Sequence, residues 1–573
     1  MNKKITPYIY ILFLSFFSNG IIGQNIELNL IGLDSVQTKV LTKVPYIKKH
    51  VLEKDVLEEL KTIQTKLKRI GFFITTIDTI FATAKTYTAV FDLGKKTNEI
   101  IISIPKKLNI KSLQSTTGKI SIKTRDFENF TNLLLTDLDA KGKSFSEIKF
   151  INPTYLQDTL ILQLQIIESS KRNIDRVLVK GYENFPKKFI KRFFKIKNQT
   201  VFSKQKMKEI SQLTNRLDFV SEKKEPEVLF KKDSTHLYLY IDKLETSSFD
   251  GIVNFASKES GKGLVLNGNL DLKLNNIFNS GEKFELFWNK VAKEKSEFKI
   301  NTVIPYIFNS SFSSHVGFNL YRQDSTFLNT KFDIKTTYDL NKKSNISISY
   351  SNEKSNYLSE NIDSNLNSYS NQFVGLEYNI TKNSKTNLYR NKYVINLDIT
   401  AGKRKTSINV TQFKIKMSTH INIPTSKRSY IYVKNESGVL NSSNYLTNEL
   451  FRIGGANSIR GINEQSIFTN YYSYSNLEYR YFISTSSYLY SITDIAIFRN
   501  TLLNSIENAS GLGVGYQFKI NNNKVNLGYA IGSSSNNISK LSNSKLIVKW
   551  TSFFWKTLLI ISCFECFVKF FLT

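Results

Sequence analysis

From Thr246 to about Phe554 the chain is organised by a period of two. In Val265–Leu274, positions Leu266, Gly268, Leu270, Leu272 and Leu274 fall on one face of a strand, and Asn267, Asn269, Asp271 and Lys273 on the other. Side chains alternate across a strand, so one face is apolar and the other is polar or charged. Such a strand suits a wall with lipid on one side and water on the other. The pattern recurs at Phe284–Trp288, Phe298–Ile304, Ile346–Tyr350, Val394–Thr400, Ile408–Met417, Tyr474–Ile483 and Val525–Ile531, with turns rich in Asn, Ser and Gly between. Residues 246–554 number 309. At roughly 18–20 residues per strand with its connection, that length predicts an all-β transmembrane barrel of about 16 antiparallel strands. A soluble sandwich fits so many charged alternations poorly.

The last alternation strengthens this reading. Leu546, Val548, Trp550 and Phe554 share one face, with Lys545, Lys549 and Thr551 on the other. Up to Phe554 the body shows no uninterrupted apolar stretch of the ~18 residues that a spanning helix needs. Membrane entry is therefore expected by barrel. The start of the chain predicts export. Lys3 and Lys4 precede an apolar run, Tyr8–Phe17, and a small-residue exit, Ser18–Gly23. This is the pattern of a signal peptide over residues 1–23. No cysteine follows the cleavage region, so a lipid anchor there is not expected.

The formal charge of +31, from 79 Lys+Arg against 48 Asp+Glu, is spread along the chain without a dominant basic block. That distribution points to a membrane surface rather than to nucleic acid. The two cysteines, Cys563 and Cys566, lie in the last eleven residues, so the body has no disulfide framework.

Between export signal and barrel, three small α+β units are expected, over 24–107, 108–169 and 170–245. The first reads as strand Ile26–Ile31, a helix with the stripe Leu57, Leu60, Ile63, Leu67 and Ile70, then strands Phe72–Ile77, Tyr87–Leu93 and Ile100–Ile104. The second has a helical stripe of Phe127, Phe130, Leu134 and Leu138, followed by strands Ser146–Phe150 and Leu160–Ile167. The third begins with strand Ile174–Val179. Pro186 suits the first position of a short helix, Ser203 caps a second with the stripe Met207, Ile210, Leu213 and Leu217, and two strands close the unit.

Late in the barrel segment stands Arg452-Ile-Gly-Gly-Ala-Asn-Ser-Ile-Arg460-Gly461. Gly454-Gly455 permits backbone closed to other residues, and the stretch reads as a tight loop presenting one cation, Arg460. Other signals carry less. Gly511-Leu-Gly-Val-Gly515 resembles a nucleotide loop, but it lies in a strand pattern with no helix after it, so a bent barrel strand is the better reading. His50, His236, His315 and His420 are scattered, and no metal site, cofactor or nucleophile–base pair is expected. The apolar tail, residues 555–573, reads either as a membrane-associated extension or as an altered reading frame after the natural end.

Taken together, the export signal, the small units (clearest in Ile174–Val220), the barrel and "GGANSIRG" resemble the BamA/TamA-type outer-membrane assembly superfamily, whose barrels are preceded by POTRA domains. The resemblance covers residues 25–554, and "LDLKLNNIFNSGEKFELFW" (270–288) is similar to the family's second-strand turn. It implies that the loop between strands 11 and 12 folds into the lumen, with the motif Gly454, Gly455, Arg460 and Gly461. The family's arginine meets acids on the inner wall, which here would be Glu478 in "NLEYRYFI" and Asp494 in "SITDIAIF". Ala496 stands where the family commonly has glycine, which leaves the packing near Asp494 open. In a partly wet lumen such a pair is expected to position the loop more than to add Coulomb energy.

The resemblance further implies a non-enzymatic assembly factor of a Gram-negative outer membrane, with its POTRA units in the periplasm. The partners implied are unfolded outer-membrane or secreted clients, accessory subunits and outer-membrane lipid. The first strand would pair weakly with the closing strand (Leu546, Val548, Trp550, Phe554) and open onto the bilayer. A dedicated exporter of one secreted partner is the alternative. Such relatives usually carry two POTRA units and an N-terminal plug helix, whereas three units and no obvious plug are read here. A passive pore or surface antigen is the third reading.

Overall fold

The computed structural model describes residues 26–83, 85–105, 118–257, 264–291, 295–358, 366–384, 386, 388–501, 504–534 and 544–554; at 252–257, 264–267 and 291 it describes the backbone alone. The expected signal peptide and the apolar tail lie outside these residues. No described helix is long and apolar enough to cross a membrane. The described residues fall into two compact units, one within Met1–Ile174 and Gln199–Met207, the other within Asp175–Asn198 and Lys208–Thr573.

The first unit holds two sheets of one topology. In the first, Ile26–Gly32 runs parallel to Thr86–Asp92 at the centre, flanked by Lys49–His50 and Thr76–Ala82. Helix Ser35–Leu41, not foreseen in the sequence, and helix Glu53–Arg69 complete it. Val56, Leu60, Ile63 and Leu67 of the longer helix are buried against Leu28, Phe91 and Leu93. The predicted stripe is thus shifted: Leu57 and Ile70 are each 45% exposed, because 3.6 residues per turn put Val56 beneath Leu60 and Ile63.

In the second sheet, Glu99–Ser103 runs parallel to Thr159–Ile167, flanked by Lys119–Lys123 and Glu147–Leu156. Ile100 and Ile102 join Leu134, Leu160, Leu162 and Leu164 in its core. The strand expected at Ile100–Ile104 therefore opens the second of the small α+β units rather than closing the first of them, and the boundary expected at 107 falls inside that second small unit.

The second unit contains a third small sheet. There Arg176–Lys180 is parallel to Thr235–Lys243, which pairs antiparallel with Val220–Phe230. Helix Lys187–Arg192 has Pro186 at its N-cap, and Ser203 Oγ accepts a hydrogen bond from Lys206 N (3.0 Å) ahead of helix Lys204–Thr214. Phe185, Phe189, Phe194 and Phe219 form the aromatic centre, with Phe189 and Phe219 edge-to-face at 5.4 Å.

The remainder is a closed barrel of 16 antiparallel strands. We number them β1 (Ser247–Ser257), β2 (Leu264–Asn275), β3 (Lys283–Val291), β4 (Lys295–Ile304), β5 (Phe312–Gln323) and β6 (Phe327–Asp339). There follow β7 (Ser344–Tyr357), β8 (Tyr369–Asn383), β9 (Asn391–Lys405), β10 (Asn409–Pro424) and β11 (Ser429–Asn441). After the long β11–β12 connection come β12 (Tyr471–Ser484), β13 (Ser487–Asn500), β14 (Ser505–Ile520), β15 (Asn523–Ser534) and β16 (Lys545–Phe554). Period two decides the facing. Val374, Leu376, Ile495, Leu512, Leu546 and Val548 are exposed outward, while Asp271, Lys273, Asp333 and Glu377 line interior cavities. These faces are as expected of a lipid-facing barrel.

The small third sheet sits against one end of the barrel, here called the near end. Phe189 meets Tyr306 of the β4–β5 turn edge-to-face at 5.2 Å. Asn276 and Asn279 of the β2–β3 turn bond Tyr182 OH, at 2.9 and 2.5 Å. Lys188 Nζ donates to Pro305 O (2.7 Å), and Asp218 pairs with Lys283 and Arg390.

Candidate functional site

The site is the β11–β12 connection. Its two short strands, Phe451–Ile453 and Ile467–Thr469, pair as a hairpin. At the tip, Gly454 and Gly455 have φ of +110° and +100°, in the region glycine favours. Gly454 N–H is held by Ser458 Oγ (2.8 Å), and Ala456 N–H by Glu464 (3.0 Å). This small fold aims Arg460 at the wall between β12 and β13.

Arg460 meets both acids singled out from the sequence. Its Nε and Nη2 donate to Asp494 at 2.8 and 2.6 Å, its backbone N–H to the same carboxylate at 2.9 Å, and its Nη1 to Glu478 at 2.5 Å. The two contacts to Asp494 form the fork that a planar guanidinium makes with a carboxylate. Asn476 fixes the other side of the acid, donating to Asp494 (2.7 Å) and to Ser458 O (2.6 Å). Glu478 is shared: Arg480 donates to its second oxygen at 2.7 Å, and the Arg480 guanidinium lies over the Tyr432 ring at 4.1 Å.

The pair is dry, contrary to the expectation of a wet lumen. Arg460 is 8%, Glu478 5% and Asp494 0% exposed. Beside it, Ile459 is fully buried among Ile453, Tyr472, Tyr474, Ala496, Phe498 and Ala509. Ala496, left open by the sequence, is simply part of this packing. A desolvated ion pair is costly to break, because removing one partner leaves a buried charge of the other sign.

Three glycines allow the close fit. Gly461 (φ +91°) lies backbone to backbone against Gly532 of β15, and a Cβ on Gly511 of β14 would overlap the Arg460 carbonyl. Gly511 thus lies directly against the loop, and the Gly511–Gly515 stretch is inside a strand as read from the sequence.

A second anchor escaped the sequence. Arg404 of β9, 1% exposed, pairs with Glu449, whose second oxygen accepts from Gln412 Nε2 at 2.8 Å. Glu449 sits in the turn Thr447–Glu449 at the root of the hairpin, and neighbouring Asn448 donates to Ser355 Oγ (2.7 Å). Arg404 reads as one member of the basic run Lys403-Arg404-Lys405, and only the strand's register shows that it faces inward. Elsewhere the hairpin touches the opposite wall: Arg452 stacks on Tyr321 at 3.6 Å, and Gln465 donates to Glu297 at 3.1 Å.

Beneath the hairpin remains a cavity of about 410 Å³ lined by charges of both signs, including Lys335–Glu377 (2.7 Å) and Lys299–Glu297 (2.6 Å). No grouping of His, Cys, Asp and Glu suited to a metal occurs among the described residues. Of the closing-strand residues, Leu546, Val548 and Trp550 face outward, 73%, 60% and 55% exposed, and Phe554 pairs with Ser247.

These parts define the fold of the chain: a closed 16-strand barrel preceded by α/β units, with an arginine loop latched to its inner wall. No protein-family model matches the chain, and no curated protein matches it in sequence. Among solved structures it is similar to CdiB from Acinetobacter baumannii, at 14% identity over 87% of this chain and 97% of that one, with a TM-score of 0.50. CdiB from Escherichia coli (13% identity, 87% and 97% covered, TM-score 0.49) and a Haemophilus ducreyi BamA lacking POTRA domains 1–3 (13%, 80% and 100%, 0.44) are also found.

Proposed function

We propose that this protein is an assembly factor of a Gram-negative outer membrane, which inserts or translocates unfolded client proteins through a barrel that opens sideways. Its α/β units would lie in the periplasm and dock clients; it needs no catalytic residue. The observation that carries this reading is the seam. Among the described residues, β1 and β16 are joined by three residue pairs, Ser247–Phe554, Ser248–Phe553 and Phe249–Ser552. On their other sides β1 pairs with β2 at ten positions and β16 with β15 at eight. Each missing pair leaves backbone groups unsatisfied in lipid, so a short seam is the cheapest place to part the barrel. The freed edge could then template an incoming strand, as strand addition requires.

The fold likeness and the latched hairpin support the same reading. The hairpin occupies the lumen and keeps a resting barrel from standing open as a wide pore. A dedicated exporter of one secreted protein is the second reading. Depletion of the protein followed by quantitative proteomics of the outer membrane separates them. Assembly predicts broad loss of barrel proteins. Loss of a single secreted protein supports the exporter, and an unchanged profile contradicts both.

A further inference from the structure

The outward wall of the barrel is asymmetric in charge. Arg404 and Asp398 point into the lumen, so Lys403 and Lys405 of β9 point outward by period two. The register carries this row across the sheet: Lys405 pairs with Ser370 of β8, which pairs with Lys354 of β7. The same alternation places Lys290, Arg322 and Arg499 on the outward face of β3, β5 and β13. All six stand at the end of the barrel away from the third sheet. One further outward cation, Lys382, stands at the near end, and no Asp or Glu faces outward among the described strand residues.

Lys354, Lys403 and Lys405 form the densest group. All three are exposed, and no described carboxylate pairs with them. Two strand spacings separate Lys354 from Lys405, roughly 10 Å, and two residues separate Lys403 from Lys405, roughly 7 Å. Directly below lie Tyr350, Val374, Leu376, Ile399 and Phe413, all exposed to the hydrocarbon. Cations tolerated on a lipid-facing wall sit at interfaces, where they meet headgroups rather than chains. Three ammoniums with no counter-charge among the described residues, above an apolar wall, complement an anionic headgroup whose acyl chains run down that wall.

We infer that Lys354, Lys403 and Lys405 form a binding site for a phosphorylated lipid of the outer leaflet. The inference rests on the outer-membrane orientation proposed above, but not on the assembly function. The test uses the full-length protein in nanodiscs of neutral phospholipid, doped with either bisphosphorylated lipid A or its phosphate-free counterpart, with bound lipid counted by native mass spectrometry. The native protein should retain the bisphosphorylated lipid and release it as salt rises. The triple variant Lys354→Gln, Lys403→Gln, Lys405→Gln should bind it roughly a hundredfold more weakly, since each lysine near an anionic surface is worth about a fivefold change in affinity and the three multiply. Lys382→Gln, at the opposite end, should leave binding unchanged. Equal retention of the two lipids, or an undiminished triple variant that keeps its barrel fold by circular dichroism, would overturn the site. Neither result bears on client assembly, which the depletion experiment reads separately.

Discussion

Arg460 makes four hydrogen bonds to two buried carboxylates, and this determines how its loss should show. Arg460→Ala removes three of them and leaves Asp494 and Glu478 facing each other without a full counter-charge. The strands themselves keep their ladder bonds, so the barrel should still form and insert. The hairpin should lose its position, and function should fall. Breaking a buried pair costs on the order of 3–5 kcal/mol, and Arg460→Lys should recover little, because an ammonium lacks the fork. Complementation of a depletion strain measures this, and full rescue by Arg460→Ala would contradict the latch. Arg404 offers a second, independent check at the hairpin root. Arg404→Leu should raise hydrogen exchange at 446–450, whereas pairing it with Glu449→Leu should restore protection, since the uncompensated charge is then gone.

These two arginines also show how far the site was legible. Arg460 could be read because it stands in a glycine-flanked loop, period two turns Glu478 inward, and Asp494 was implied by the family resemblance of its strand. Arg404 lies between two lysines in a strand, where sequence shows a basic run and only register shows which of the three turns inward. The register reverses their meaning: Arg404 holds the loop, and its neighbours face lipid.

At the scale of elements, many barrel strands were legible because their two faces differ in polarity, whereas β5, β6, β8 and β11 were not read individually. The small sheets were less so. Glu99–Ser103 was assigned to the wrong unit because parallel pairing with Thr159–Ile167 is a contact some sixty residues away, invisible to local pattern. The same non-locality governs the near-end docking. Asp218 ties Lys283, at the start of β3, and Arg390, in the β8–β9 connection, to the third sheet. Burial raises its carboxyl, but the two cations outweigh that and hold it below the usual carboxylate range. A lowered folded value stabilises at any pH above the ordinary range and is lost as pH falls through the folded value. Docking should therefore be unchanged from neutral pH down to the ordinary carboxylate range, and weaken in stronger acid. Hydrogen exchange across 276–282 checks this. Asp218→Asn should bring the acid-state exchange to neutral pH; identical exchange in variant and native protein would remove Asp218 from the interface.

For the whole molecule, the parts divide the work. Dense pairing and a lipid-facing apolar wall hold most of the barrel, a latched hairpin fills its lumen, and a short seam leaves one place for it to part. The charge on the outward wall is arranged along the same axis, with cations gathered at the end opposite the α/β units. Locking the seam tests whether opening is the working motion. Cysteines at the paired positions Ser248 and Phe553, with Cys563 and Cys566 replaced by serine, would place a disulfide across the β1–β16 junction. The oxidised protein should insert normally but fail to support assembly of outer-membrane clients, with activity returning on reduction. Undiminished assembly by the fully oxidised form would contradict lateral opening as the mechanism.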